Sequence, residues 1–247
     1  MRKQKERNSI VIIVAYVVLG IISFMCIAPV VLMAVASFTD NDVLNLYGYT
    51  YFPQKWSLEA YEFLIKQGTV ISKSFLNSIL VTFMGTALGI MVTVLLAYTI
   101  SRKELVGRKL IMLFVFFTML FNGGMVPTYL MYTQIFHIKN TMWALLFPHL
   151  LVNGFNVLLV RTFFNENIPE VLLEAARIDG AGEISIFRNV VLPISKPILA
   201  TIGLLVGVGY WNDWYNGLLF VTDVNYYTLQ NFLNTGMTDL QFLSQNM

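Results

Sequence analysis

Cysteine is nearly absent. The one thiol, Cys26, lies inside an apolar run and has no partner in the chain, so no intrachain disulfide framework exists and no redox compartment can be read from it. Charged residues make up only 12% of the chain, and the net charge of +2 is too small to point to nucleic acid. With two histidines in all, no metal-ligand cluster or nucleophile-and-base pair forms, and Glu59 and Glu62 lack the companions that would make them an acid and base pair. The phosphate-cradling pattern GxxxxGK[ST] is missing as well: "IDGAGEIS" has the glycines but no lysine, so ATP is not hydrolysed here by that route. No repeat, low-complexity segment or domain linker divides the chain, which reads as one membrane domain over 1–247.

Hydrophobic residues, at 57% with 19 Phe and 12 Tyr, are abundant, and the mean hydropathy is +0.67. These values describe an all-α integral membrane protein. Runs at about 10–37, 76–100, 110–132, 141–164 and 197–221 approach the roughly 20 apolar residues that a helix needs to cross a bilayer. The first follows Arg2, Lys3, Lys5 and Arg7 but is too long for a secretory signal and lacks a small-residue cleavage site, so it is a retained anchor. Further basic residues cluster at 102–109 and again from Arg161 to Lys196, whereas the alternate connections are poorer in them. The positive-inside rule then places the N-terminus and residues 165–196 in the cytoplasm of a multi-pass protein. The tail 222–247 has no apolar run able to span and is expected to be an external loop, with a sixth span missing from this sequence.

Several polar residues stand within or beside the apolar runs. Asn122, Gly123, Gly124 and Pro127 interrupt the third, as broken helices beside a water-filled path do, or as a simple kink would. In the fourth, His149, Asn153 and Asn156 are spaced to share one helix face, either toward such a path or for hydrogen bonds between helices. Near the end of the fifth, "YWNDWYNG" combines interfacial tryptophans with Asn212 and Asp213. Outside the spans, Ser57 is a plausible cap for a short helix through Leu58, Ala60, Tyr61 and Leu64.

The most polar segment is 165–196. "NENIPEVLLEAARIDGAG" reads as a helix beginning near Pro169, with Glu170 at its positive end and a turn at Gly180 and Gly182. A second helix with Ile184, Phe187 and Val191 on one face should follow, broken by Pro193 and Pro197. Its uncovered apolar side chains, the small Ala175 and Ala176, and the charge of Glu174 suit a docking site for a soluble partner; an amphipathic loop on the membrane surface is the alternative.

Glu174, Ala175, Ala176, Asp179, Gly180, Ala181, Val190, Leu192 and Pro193 resemble, in type and spacing, the EAA loop of permease subunits of bacterial binding-protein-dependent ABC importers. "WSLEAYEFL", Asn77-Ser78 and "YWNDW" resemble the carbohydrate branch, in particular the smaller permease of maltose-type systems. The resemblance implies the type I transmembrane fold of ABC importers, normally with six spans, in the bacterial inner membrane. It implies as partners a cytoplasmic ABC ATPase dimer, a second homologous permease and an extracellular or periplasmic solute-binding protein, besides membrane lipid, with no cofactor and no nucleic acid. Glu174, Ala175, Ala176, Asp179, Gly180, Phe187, Leu192 and Pro193 would couple the chain to the ATPase, and Asn122, Gly123, Gly124, Asn153, Asn156, Asn212 and Asp213 are candidates for the translocation path of an oligosaccharide. The competing reading is a self-contained secondary transporter or channel built on the His149, Asn153 and Asn156 face.

Overall fold

The computed structural model describes the backbone of residues 2–66 and 68–246, and the side chains of 12–66 and 68–238. The chain divides into two compact units, 1–69 and 70–247.

The first unit holds α1 (Arg2–Ser37), α2 (Asn41–Tyr47) and α3 (Glu59–Lys66). The portion Ile12–Ser37 of α1 is long and apolar enough to cross a membrane, and Ile13, Tyr16, Phe24 and Met33 along it are exposed, as hydrocarbon-facing side chains are. The chain then folds into a cap. Asp40 accepts the Asp42 N–H at the start of α2, and Lys55, paired with it, holds its carboxyl below the usual range. Thr39 and Trp56 form an antiparallel bridge, and the Ser57 hydroxyl accepts the Glu59 N–H at 3.1 Å, so the expected cap of the third helix is present.

The second unit contains α4 (Gly68–Ser101, all but its first two residues), α5 (Arg108–Leu120), α6 (Met125–Leu130), α7 (Trp143–Leu146) and α8 (Gly154–Asn167). It continues with α9 (Glu170–Ile178), α10 (Glu183–Ile186), α11 (Leu192–Ile194), α12 (Lys196–Trp211), α13 (Tyr215–Phe220) and α14 (Leu229–Asn246). Val94, Ala97 and Ile100 of α4 pack in one core with Leu145 and Leu146 of α7, Val157 and Val160 of α8, and Ile202 of α12. A Cβ on Gly85 would sit 2.5 Å from the Tyr210 ring, so α4 and α12 approach as closely as they do because position 85 has no side chain.

Among the described residues of this unit, only α4 is by itself long and apolar enough to span; α5 with α6, and α10–α11 with α12, reach that length and apolarity only together, as pairs bent by 117° and 80°. The break expected at Asn122–Gly124 is therefore present. The continuous helices expected over 141–164 and 197–221 are not. In the first, Pro148 lacks an N–H, His149 takes φ 62°, and Asn153 starts α8 afresh. In the second, α12 stops at Trp211 and Asp213 caps α13 through the N–H groups of Tyr215 and Asn216. His149 and Asn153 consequently lie outside α8, and the shared helix face with Asn156 does not exist. The freed carbonyls are satisfied across the breaks: the Tyr210 hydroxyl donates to the Leu146 carbonyl at 2.7 Å and the Asn216 amide to that of Pro148 at 2.9 Å.

The tail also departs from expectation. Residues 229–246, anticipated as loop, form α14, anchored where the buried Asn231 fills the space left by Gly217.

Candidate coupling site

Residues 165–196 form a helix, a turn and a second helix. Pro169 precedes α9 in extended conformation and Glu170 opens its first turn, where a carboxylate meets the positive end of the helix. Gly180, at φ 80°, reverses the chain in a conformation that an L side chain rarely adopts. The second helix runs from Glu183 to Ile194 with a π turn over Phe187–Val191. Pro193 does not break it, contrary to expectation. The π turn shifts the bonding pattern just before the proline, with the Leu192 N–H donating to the Phe187 carbonyl, and the bend comes instead at Ser195. Pro197 sits at the start of α12, where its missing N–H costs nothing.

Burial separates the expected coupling residues into two groups. Glu174, Ala175 and Asp179 are exposed, as are Pro193 and Gly180. Ala176, Phe187 and Leu192 pack against the core beside the buried Leu173, Ile186 and Val191. The buried side of the second helix is thus Ile186, Phe187 and Val191; Ile184, expected among them, is 84% exposed. Val171 at 72% and Ile178 at 86% are exposed as well, and on α9 they flank Glu174, which makes no ion pair among the described residues.

A network that sequence reasoning missed holds this surface in place. Arg177 donates from Nε and Nη2 to the Glu183 carboxylate, at 3.2 and 3.0 Å, across the Gly180 turn. Its Nη1 donates to Glu104 at 2.9 Å. The Tyr98 hydroxyl, at the end of α4, donates to the second oxygen of Glu183 at 2.7 Å, and the Tyr98 ring lies 4.9 Å from that of Phe187. Lys103 pairs with Glu170 at 2.6 Å. Hydrogen bonds from Tyr98, and then the Arg177 guanidinium, lower the Glu183 carboxyl's pKa against the opposing effect of burial; Arg177 likewise lowers that of Glu104. One exposed ion pair is worth little, about 0–1 kcal/mol, but these share partners and fix α9 to the end of α4 at several points. The available signal was Glu183 six residues beyond Arg177 across a glycine turn, and the lone carboxylate Glu104 amid the basic 102–109 segment.

The candidate path residues have local structural tasks. The Asn122 side chain accepts the Gly124 N–H at 2.9 Å in the exposed break between α5 and α6, where Gly123 lies and Gly124 takes φ 87°. Asn153 caps α8, Asn156 is buried beside it, Asn212 ends α12 in an exposed position, and Asp213 caps α13.

The profile of the family described as binding-protein-dependent transport system inner membrane component matches residues 85–244. A polygalacturonan/rhamnogalacturonan transport system permease of Bacillus subtilis (strain 168) is 36% identical, over 92% of this chain and 78% of its own. The trehalose/maltose transport system permease of Thermococcus litoralis is 31% identical, over 90% of this chain and 78% of its own. Among solved structures, a bacterial ABC transporter involved in the import of the acidic polysaccharide alginate superposes with a TM-score of 0.83 at 28% identity, covering 92% of this chain and 80% of the matched one. The helical architecture, the helix-turn-helix at 165–196 and these matches together make the chain a member of the binding-protein-dependent transport system inner membrane components, the multi-pass membrane subunits of ATP-driven importers that work with an ATPase and a substrate-binding protein.

Proposed function

We propose that this subunit lines one half of the path of a carbohydrate importer, with an oligosaccharide as cargo and a second, homologous permease supplying the other half. The relatives named for polygalacturonan/rhamnogalacturonan, trehalose/maltose and alginate all handle sugars of more than one unit, which supports that cargo class. The N-terminus and residues 165–196 face the cytoplasm, as the distribution of basic residues requires. There α9 enters a groove on an ATPase dimer, Glu174 meets a cation across the interface, and closure of the dimer on ATP draws the helices together so that the path alternates between its two openings. The substrate-binding protein delivers cargo on the opposite side of the membrane. Asn122, Gly123, Gly124 and Asn212, exposed at helix breaks, are the path positions this reading retains as candidates for contact with cargo; Asn153, Asn156 and Asp213 shape those breaks.

The observation that carries the proposal is the exposed apolar face of Val171, Ala175 and Ile178, with Glu174 on the same helix and without an ion pair among the described residues. No observation favours a self-contained transporter, because the polar face on which it rested is absent. Tagging the chain in its native membrane and identifying what co-purifies tests the coupling. The wild type should bring down an ATPase and a second permease, and Glu174→Arg should retain the permease while losing the ATPase and uptake. An ATPase retained by Glu174→Arg together with normal uptake would refute the assignment.

A further inference from the structure

Behind α9 lies a cavity of about 640 Å³, bordered by the end of α4, the 102–107 connection, the start of α5 and the end of α8, with Leu173 and Arg177 of α9 on its wall. Five cationic side chains surround it against three carboxylates. Two of the cations are matched, Lys103 by Glu170 and Arg177 by Glu104. Arg102, Arg108 and Arg161 have no carboxylate partner among the described residues, and the third carboxylate, Glu166, is exposed. The Arg102 guanidinium rests 4.4 Å from the Tyr98 ring centre, and its Nε is buried without an acceptor. Arg161 donates from Nε to the Ile100 carbonyl at 3.4 Å and makes no other hydrogen bond among the described residues.

Three unmatched guanidinium groups around one cavity leave a demand for negative charge, and a buried donor without an acceptor carries a real cost. The planar fork of arginine fits phosphate oxygens in pairs. The place of the cavity points to the kind of phosphate. With 34 residues, α4 is about 50 Å long, beyond the roughly 30 Å of hydrocarbon and the roughly 40–45 Å that includes the headgroups, so its final turn emerges at the edge of the headgroup layer. Apolar Phe164, Ile168 and Leu173 also line the space, which suits a glycerol backbone joined to acyl chains and is wasted on inorganic phosphate.

We infer that this cavity binds the phosphodiester of an anionic phospholipid, with Arg102, Arg108 and Arg161 as its ligands. Basic recesses between spans at headgroup depth are suited to such lipids. The site is distinct from the exposed face of α9, and it requires only that α4 spans the membrane.

The test uses the intact complex purified from its membrane and placed in phosphatidylcholine nanodiscs with or without phosphatidylglycerol. Native mass spectrometry counts retained phosphatidylglycerol, and thermal denaturation reads the stabilisation. Wild type should retain phosphatidylglycerol and gain in Tm, while Arg102→Gln/Arg161→Gln should lower retention about tenfold and abolish the gain. Lys109→Gln, exposed and outside the cavity, should behave as wild type. Should the double variant fail to assemble, Arg108→Gln carries the comparison, because its side chain makes no hydrogen bond among the described residues that folding would miss. Equal retention by the cavity variant and wild type, or an equal loss in Lys109→Gln, overturns the site. Inorganic phosphate reproducing the full Tm gain in phosphatidylcholine overturns the lipid as its occupant.

Discussion

Glu183 accepts from two donors of different origin, the Tyr98 hydroxyl and the Arg177 guanidinium, so one carboxylate joins α4 to the helix on each side of the Gly180 turn. Tyr98→Phe removes a charge-assisted hydrogen bond and should cost about 1–3 kcal/mol, read as a lower Tm of the detergent-solubilised protein. Its loss should also lower uptake more than ATPase activity, because one of the bonds that tie the loop to α4 is then missing. The same residue sets an acid limit. The carboxyls of Glu183 and Glu104 titrate below their ordinary value of 4.5, so their contribution is complete above that pH and disappears as pH falls through the lowered values. Tm measured from pH 7 downward should hold until about that point and then drop, and Glu183→Gln should flatten the drop; an unchanged profile would dismiss the linkage.

Among the elements, the interrupted helices are what distinguish the second unit from a simple bundle. Where α4 meets α12 the contact depends on Gly85, and Gly85→Ala would press a methyl group into the Tyr210 ring and disturb its bond to the Leu146 carbonyl. Such overpacking costs about 1–3 kcal/mol, to be seen as a depressed Tm, whereas Gly20→Ala, with open space at its Cβ, should not lower it. Much of this level was legible in the sequence. The turn at Gly180, the start of α9 after Pro169 and the break at Asn122–Gly124 each rest on a local cue, a glycine or proline acting through its own backbone. The breaks inside 141–164 and 197–221 were hidden because hydropathy averages over about one span length and does not register that Asn153 and Asp213 act as caps. The anchoring of α14 was equally opaque, since it rests on Asn231 seated against a glycine 14 residues earlier.

For the molecule as a whole, membrane orientation is the property that composition states most directly and that ties the two faces to their partners. Val106 and Phe52 are 96% and 91% exposed and lie outside the docking face of α9, so single cysteines at these positions on a Cys26→Ser background should react freely with a membrane-impermeant maleimide. Labelling in intact cells and then in inverted vesicles should find position 106 open from the cytoplasmic side and position 52 from the other. Sharing of one side by 52 and 106 would defeat the positive-inside assignment. The candidate coupling residues form a linear pattern in the sequence, but the pattern did not separate those that face outward, Glu174 and Ala175, from those that anchor, Ala176, Phe187 and Leu192. That distinction depends on which neighbours fold against the loop, and those neighbours come from 73 and 85 residues earlier in the chain. Arg177 and Glu183 therefore make the loop a poor module for transplantation: a chimaera that exchanges residues 165–196 with a relative inherits the pattern but not its footing, unless the residues at 98 and 104 travel with it.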